Sequence, residues 1–131
     1  MTSKIPPKTK GLTRLVKALF YSIDGLKSAY HTEEAFRQEV WVLIPVMVGL
    51  WGFLPFSLGV KLGLSGAALL LILIELVNTA IERLVDLASP DYHQLAKEAK
   101  DIGSAVVLLS LTFNLFLWAL ALWHYQDLIL G

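Results

Sequence analysis

Glu75, Asn78, Glu82 and Asp86 follow directly on an apolar run from Ala67 to Ile74. At about 100° per residue on an α-helix, the four side chains fall within about 80° of one another and share one face. An ionised carboxylate in lipid is costly, so an intramembrane acid is by default a candidate functional residue. We therefore expect this face to contact other protein rather than lipid.

The depth of the two glutamates on this face suggests two different tasks. Glu75 precedes Glu82 by seven residues, which is about 10 Å along a straight helix, so the two cannot bind one metal ion together. The shallow acids suit Mg²⁺, which prefers oxygen ligands and often joins one or two carboxylates to substrate phosphates. Lys100 carries a positive charge that could bind phosphate. Removal from water raises the pKa of a carboxyl group, so a desolvated Glu75 suits a general base near neutral pH. This chemistry is typical of phosphoryl transfer from a cytosolic nucleotide to a lipid hydroxyl.

Every candidate residue, including Glu33, Glu34 and His93 elsewhere in the chain, also has a purely structural interpretation. Glu33 and Glu34 could be surface acids that complement a helix dipole. Glu82 could form an ion pair with a neighbouring cation, Arg83 or Lys100. Asn78, or a protonated Glu75, could hydrogen-bond an adjacent helix, and His93 could be an exposed loop histidine. The sequence has neither a Walker loop nor a Gly-x-Gly-x-x-Gly motif, so it predicts no standard nucleotide fold.

The composition indicates a membrane protein. Hydrophobic residues make up 56% of the 131-residue chain and charged residues 17%, against a usual charged share of about a quarter. The formal net charge is zero, so there is no basic field to attract nucleic acid. Cysteine is absent, which excludes disulfides, thiol catalysis and cysteine metal sites.

The hydrophobic pattern predicts an all-α membrane protein that forms a single domain over residues 1–131. An amphipathic surface helix is expected at about 11–30, with a soluble bundle helix as the alternative, followed by transmembrane helices at about 34–54, 62–86 and 101–124. Thr32 is predicted to cap the first span, and Ser89-Pro90 to begin the third helix near Pro90. The pairs Gly63-x-x-x-Ala67 and Ala99-x-x-x-Gly103 would permit close helix approach.

The basic residues predict the orientation in the membrane. Seven of the eleven Lys and Arg residues precede or open the first span, and three flank the 83–101 loop. The first loop has only Lys61, and the C-terminal tail has none. By the positive-inside rule, the N-terminus and the 83–101 loop are cytoplasmic and Gly131 lies outside.

Three motifs resemble the small prokaryotic integral-membrane diacylglycerol kinase family, over roughly Gly11 to Trp123. They are Glu75-x-x-Asn78-Thr79-Ala80-Ile81-Glu82-x-x-Val85-Asp86, then Tyr92-His93-x-Leu95-Ala96-Lys97-x-Ala99-Lys100-Asp101-x-Gly103-Ser104-Ala105, and Glu33-x-Ala35-Phe36-Arg37-Gln38-Glu39. The resemblance implies a homotrimeric helical bundle in the bacterial inner membrane. Each subunit would have a surface helix and three spans, and the active sites would be shared between adjacent subunits.

The resemblance also implies roles for particular residues. Glu75 would take the proton from the primary hydroxyl of diacylglycerol as ATP phosphorylates it to phosphatidic acid, and Glu33 and Glu82 would hold the Mg²⁺ of MgATP. Lys100, with Asp101 beside it, would hold phosphates. The other implied contacts to nucleotide or lipid are Arg14, Tyr21, Arg37, Glu39, Asn78, Asp91, Tyr92, His93 and Ser104.

Two features depart from the family pattern, and two other functions stay open. Glu34 stands where the family is expected to have a small residue, and the Leu19-Phe20 pair is bulkier than usual. A Gram-positive branch of the family resembles undecaprenol kinase, although the Arg37-Gln38-Glu39 form looks more like the diacylglycerol branch. A non-enzymatic membrane scaffold or ion-binding subunit is the alternative from another class.

Overall fold

The computed structural model describes residues 10–131, and within them the chain forms four α-helices. They are α1 (Leu12–Thr32), α2 (Glu34–Gly52), α3 (Leu58–Ala88) and α4 (Gln94–Leu130). α3 packs mainly against α4, α2 packs on α3, and the end of α1 contacts α2. The predicted all-α class is confirmed, and the two longest helices extend beyond the spans that the sequence predicts.

Within residues 10–131, α3 and α4 are long and apolar enough to cross a membrane. Most of their large apolar side chains are exposed rather than packed inside the chain, as at Leu69, Leu73, Leu108 and Leu109. Such continuous apolar surfaces need lipid or other protein to cover them. α2 has charged residues in its first two turns, Glu34, Arg37 and Glu39, so only its remaining part is an uninterrupted apolar stretch.

α3 and α4 are held together by polar contacts inside the apolar region. The Asn114 side-chain amide donates to the Ala67 carbonyl on α3 and to the Ser110 carbonyl on its own helix, both at 3.0 Å. At one end of the helix pair, the Tyr125 hydroxyl accepts from the Ser57 N–H at 3.2 Å. These contacts fix the register of α4 against α3, and therefore determine which α4 residue meets Asn78.

The predicted cap at Thr32 is wrong. Thr32 is the last residue of α1. The helical conformation is interrupted at Glu33, whose backbone is extended with φ −102° and ψ 113°. The Thr32 hydroxyl donates to the Ser28 carbonyl and to Glu33 Oε1, at 2.9 and 3.0 Å. Because this hydroxyl is used inside α1, α2 begins at Glu34 without a side-chain cap.

The predicted start of the last helix near Pro90 is also wrong. Ser89 closes α3, and its hydroxyl donates to the Asp91 carbonyl at 2.9 Å instead of accepting from a helix N–H. α4 begins at Gln94, with His93 Nδ1 accepting from the Leu95 N–H at 3.2 Å. Residues 89–93 therefore form a short loop between α3 and α4.

Candidate active site

The polar face of α3 is buried where it lies deepest in the apolar run. Glu75 is 5% exposed and Asn78 is 9% exposed, although both lie on a helix whose other faces are largely open. The Asn78 side-chain amide donates to Glu82 Oε1 at 3.1 Å, so these two residues are coupled one turn apart. For Glu75 and Asn78, the prediction that this face contacts protein is confirmed.

α4 approaches Asn78 at a glycine. A Cβ placed on Gly103 would collide with Asn78 Oδ1 and would lie 3.3 Å from Asn78 Cγ. Asn78 Oδ1 is buried and has no hydrogen-bond partner among the described residues, whereas the amide nitrogen is turned towards Glu82. Gly103 therefore leaves the space in which the Asn78 side chain adopts this orientation.

Two acids outside α3 complete an acidic cluster consisting of Glu33, Glu39, Glu75 and Glu82. Glu33 contacts α3 at 3.4 Å through Arg83, the residue after Glu82, and Glu39 lies half-buried on α2, which packs on the helix of Glu75. Oε2 of Glu39 is buried without a hydrogen-bond partner in the described part of the chain. The cluster thus joins the α1–α2 junction, α2 and α3.

The acidic cluster does not form a complete metal site by itself. Among residues 10–131, no group of three or more His, Asp or Glu side chains is arranged to hold a metal ion. A cation bound by two carboxylates would need further oxygen ligands, which Mg²⁺ usually takes from substrate phosphates and water. The donor set is therefore compatible with a cation that arrives together with a phosphate ligand.

Apart from Arg83, which contacts Glu33, the cations near this face are paired with acids outside the cluster or with backbone oxygens. Lys100 Nζ lies 2.9 Å from Asp86 Oδ1, and Lys97 is paired with Asp101. The hydrogen bond and charge of Asp86 raise the pKa of Lys100 above the ordinary lysine value, at which the amine is already positive at neutral pH. Arg37 donates to the carbonyls of Tyr30 and His31, both at 3.0 Å, at the end of α1.

Other residues implied by the resemblance lie on exposed surfaces rather than beside Glu75. Ser104 on α4 is exposed. Glu34, which departs from the family pattern, is exposed too, and its carboxylate accepts from the Gln38 amide at 3.1 Å. The remaining ones lie on exposed parts of α1 and of the α3–α4 loop: Arg14, Tyr21, Asp91, Tyr92 and His93. Their roles stay predictions, because one subunit does not bring them to the acidic cluster.

Arg83 makes contacts with α1 and with Glu33 that the sequence did not predict. Its guanidinium donates to Ser28 Oγ at 3.2 Å, to Thr32 Oγ1 at 2.5 Å and to Glu33 Oε1 at 3.4 Å. The sequence suggested Arg83 and Lys100 as partners for Glu82, but the structure pairs them with Glu33 and Asp86. The only sequence signal for this role was the position of Arg83 directly after Glu82.

Apolar grooves open on both sides of α3. One of about 620 Å³ runs along α2 and α4, with Gln38 and Glu39 among its lining residues. Another of about 750 Å³ lies between α1 and α3 and includes Thr79 and Arg83. Both volumes fall in the range of small-molecule sites, about 300–1,000 Å³, and both have mostly apolar walls.

Apolar, outward-facing helices with a buried acidic face define an integral membrane protein that carries a polar site. The chain belongs to the prokaryotic diacylglycerol kinase family, whose model matches residues 20–122. The family predicted from the three motifs is therefore confirmed.

Individual relatives match over most of their length. A diacylglycerol kinase of Escherichia coli strain K12 is 39% identical over 118 residues, which cover 89% of this chain and 95% of the relative. One from Helicobacter pylori strain J99 is 43% identical over 120 residues, covering 88% and 89%. One from Pseudomonas aeruginosa is 41% identical over 112 residues, covering 83% and 88%.

Proposed function

We propose that this chain is a lipid kinase that transfers the γ-phosphate of ATP to the primary hydroxyl of diacylglycerol, giving phosphatidic acid and ADP. The observation that carries the proposal is the buried Glu75, one turn from Asn78 and two turns from Glu82, which are hydrogen-bonded to each other, in a member of this family. The relatives reported above are named diacylglycerol kinases, so undecaprenol kinase is not favoured.

Glu33 and Glu82 are the residues that would hold Mg²⁺. In the contacts described above, each uses Oε1 as a hydrogen-bond acceptor, which leaves its Oε2 as a potential cation ligand. Bound there with ATP, Mg²⁺ would offset the negative charge of the phosphates. Lys100, with Asp101 beside it, would hold the phosphates, and its positive charge at neutral pH supports this role.

Glu75 is the proposed general base. It would accept the proton of the lipid hydroxyl while the hydroxyl oxygen forms a bond to the γ-phosphorus and the bond to ADP breaks. Its burial removes bulk water from the carboxylate, and Asn78 lies one turn away to orient it or the phosphate. The apolar grooves beside α3 would accept the lipid chains from the membrane.

A phosphate-transfer assay tests the proposed function. Purified protein in detergent, given MgATP, should phosphorylate diacylglycerol and should transfer phosphate to undecaprenol more slowly under the same conditions. Faster transfer to undecaprenol would favour the alternative substrate. No transfer to either lipid by folded protein would leave the non-enzymatic scaffold or ion-binding subunit as the better explanation.

In the membrane, α2 is proposed as a third span beside α3 and α4, with α1 on the cytoplasmic surface. Its part from Val40 to Gly52 carries no charge, and its 19 residues reach about 28 Å, close to the thickness of about 30 Å of hydrocarbon. The proposed location is the bacterial inner membrane, with the N-terminus cytoplasmic and the C-terminus periplasmic.

The orientation predicts the behaviour of a fusion after Gly131. A periplasmic reporter such as an alkaline phosphatase should be active there, whereas a cytoplasmic fluorescent reporter at the same site should be dark, because basic loops remain in the cytoplasm. The matched control places both reporters in the 89–93 loop, where the opposite pattern is expected. Cytoplasmic activity after Gly131 would contradict the proposed orientation.

The proposed assembly is a homotrimer with active sites shared between subunits. Exposed apolar faces on α3 and α4 provide surface for such contacts. A shared site would also explain why Arg14, Tyr21 and the 91–93 loop lie away from the acidic cluster of their own chain.

A further inference from the structure

Arg83 links three segments that meet at the acidic cluster. From α3 it reaches Ser28 and Thr32 in the last turns of α1, and Glu33 at the junction with α2. We propose that Arg83 is a positioning residue that fixes the Glu33 carboxylate to the turn of α3 that carries Glu82, so that both acids can bind the divalent cation of the nucleotide. This inference rests on the proposed kinase function.

Glu33 has little else to fix its position. It lies between two helices in extended backbone, with α1 ending at Thr32 and α2 beginning at Glu34. Its carboxylate accepts hydrogen bonds from the neighbouring Thr32 hydroxyl and from Arg83, and Arg83 also binds that same hydroxyl. The position of the Glu33 carboxylate relative to α3 therefore depends on the guanidinium.

The position of Arg83 on α3 determines how its contact with Glu33 affects the proposed cation site. Arg83 follows Glu82 directly, so the group that holds Glu33 and the second proposed cation ligand are fixed to the same helix turn. An arginine fork can bind several oxygens in a fixed plane, whereas a lysine presents only a point charge. The Arg83 contacts with Ser28, Thr32 and Glu33 use this fork geometry.

Two effects of Arg83 on a bound cation oppose each other. Its positive charge repels a cation, whereas its hold on Glu33 keeps a ligand in place. The Arg83 and Glu33 side chains are 46% and 27% exposed, so solvent screens the charge and the ion pair itself stabilises little. We therefore expect positioning to outweigh repulsion, which makes the sign of the measured change decisive.

The test measures how tightly the protein binds the Mn²⁺ complex of a non-hydrolysable ATP analogue, by enhancement of water proton relaxation. Arg83→Lys keeps the charge but loses the fork, and should weaken binding about tenfold, at the lower end of the usual effect of about 10–100-fold for outer-shell partners. Arg83→Met should weaken it at least as much. In parallel, the half-saturating Mg²⁺ concentration should rise more than kcat falls. Unchanged or tighter binding in either folded variant overturns the proposal.

Two controls assign the effect to Glu33. Lys27→Met removes a cation from α1 at a residue with no ion pair among the described residues, and should leave binding unchanged. In a Glu33→Ala background, Arg83→Lys should cause no further loss, because the oxygen that Arg83 binds has gone. An equal loss in that background would show that Arg83 acts elsewhere and would overturn the proposal.

The outcomes separate this inference from the proposed function. A wild-type protein that transfers no phosphate to lipid counts against the function, while nucleotide-complex binding still reports on Arg83. If the wild type is active and the Arg83 variants bind the nucleotide complex as tightly as the wild type, only the positioning role is contradicted. Size-exclusion chromatography and circular dichroism establish folding, and Arg83→Lys carries the test if Arg83→Met does not fold.

Discussion

Glu75→Gln should lower kcat by about 10²–10⁴-fold while the KM for MgATP changes little, as expected when a general base is lost. Glutamine keeps the shape of the side chain and most of its hydrogen bonding but cannot take the proton of the lipid hydroxyl. Glu75 is 5% exposed, so water cannot easily replace it at that position. Steady-state kinetics on purified, size-checked protein at saturating diacylglycerol measures both parameters.

Glu82→Gln is the matched comparison on the same helix face. It removes a proposed cation ligand rather than the base, so its main effect should be a weaker apparent affinity for Mg²⁺ and MgATP. A purely structural Glu75, protonated and hydrogen-bonded to its neighbours, predicts a different result for the first variant. The Glu75→Gln protein would then show nearly normal turnover, and the base assignment would fail together with the mechanism.

The same Glu75→Gln variant tests whether sites are shared between subunits. Mixed with Arg14→Ala subunits that have lost activity, it should regain partial activity, because a composite site can take the acidic cluster from one chain and Arg14 from another. Homogeneous oligomers of each variant, purified in the same way, are the controls. Absence of recovery in verified mixed oligomers would mean that each subunit contains its own complete site.

The polar face of α3 could be predicted because helix geometry determines it almost alone. The spacing of Glu75, Asn78 and Glu82 places them together on any regular helix, and their cost in lipid requires that they face protein. The all-α class followed in the same way from long apolar runs. These inferences needed no information about which other segment packs against that face.

The helix ends could not be predicted because a hydroxyl has two roles. The Thr32 and Ser89 side chains can accept from a helix N–H, as the sequence suggested, or donate to a nearby oxygen, as both do here. The partner of Glu33 depended on tertiary packing too. Arg83 lies 50 residues further along the chain, and only the contact between α1 and α3 brings it within reach.

The small-residue pairs show the same limit. By sequence, Gly63 and Gly103 each stand four residues from an alanine and predict close helix contact equally. A Cβ on Gly63 would meet no atom within 4 Å in the described part of the chain, whereas one on Gly103 would collide with Asn78. The register of α4 against α3 decides between the two glycines, and the spacing contains no information about that register.

Gly103→Ala should therefore lower activity at least about tenfold, comparable to the loss of an outer-shell partner, whereas Gly63→Ala should not. The new methyl group must displace the Asn78 side chain or push α4 away from α3. Either change disturbs the Asn78–Glu82 hydrogen bond, and movement of the helix would also lower the free energy of unfolding by about 1–3 kcal/mol. Phosphate transfer and thermal unfolding followed by circular dichroism measure the two effects.

The Asn78→Ala background identifies the collision as the cause. Alanine lacks both Asn78 atoms that the new methyl group would meet, so in this background Gly103→Ala should no longer destabilise the protein. Gly63→Ala should leave the stability unchanged or raise it by up to about 1 kcal/mol, since alanine is the better helix former. Equal losses of activity at the two glycines would contradict the role of Gly103. So would a destabilisation by Gly103→Ala that persists without the Asn78 side chain, because the cause would then be a contact of α4 other than the one with Asn78.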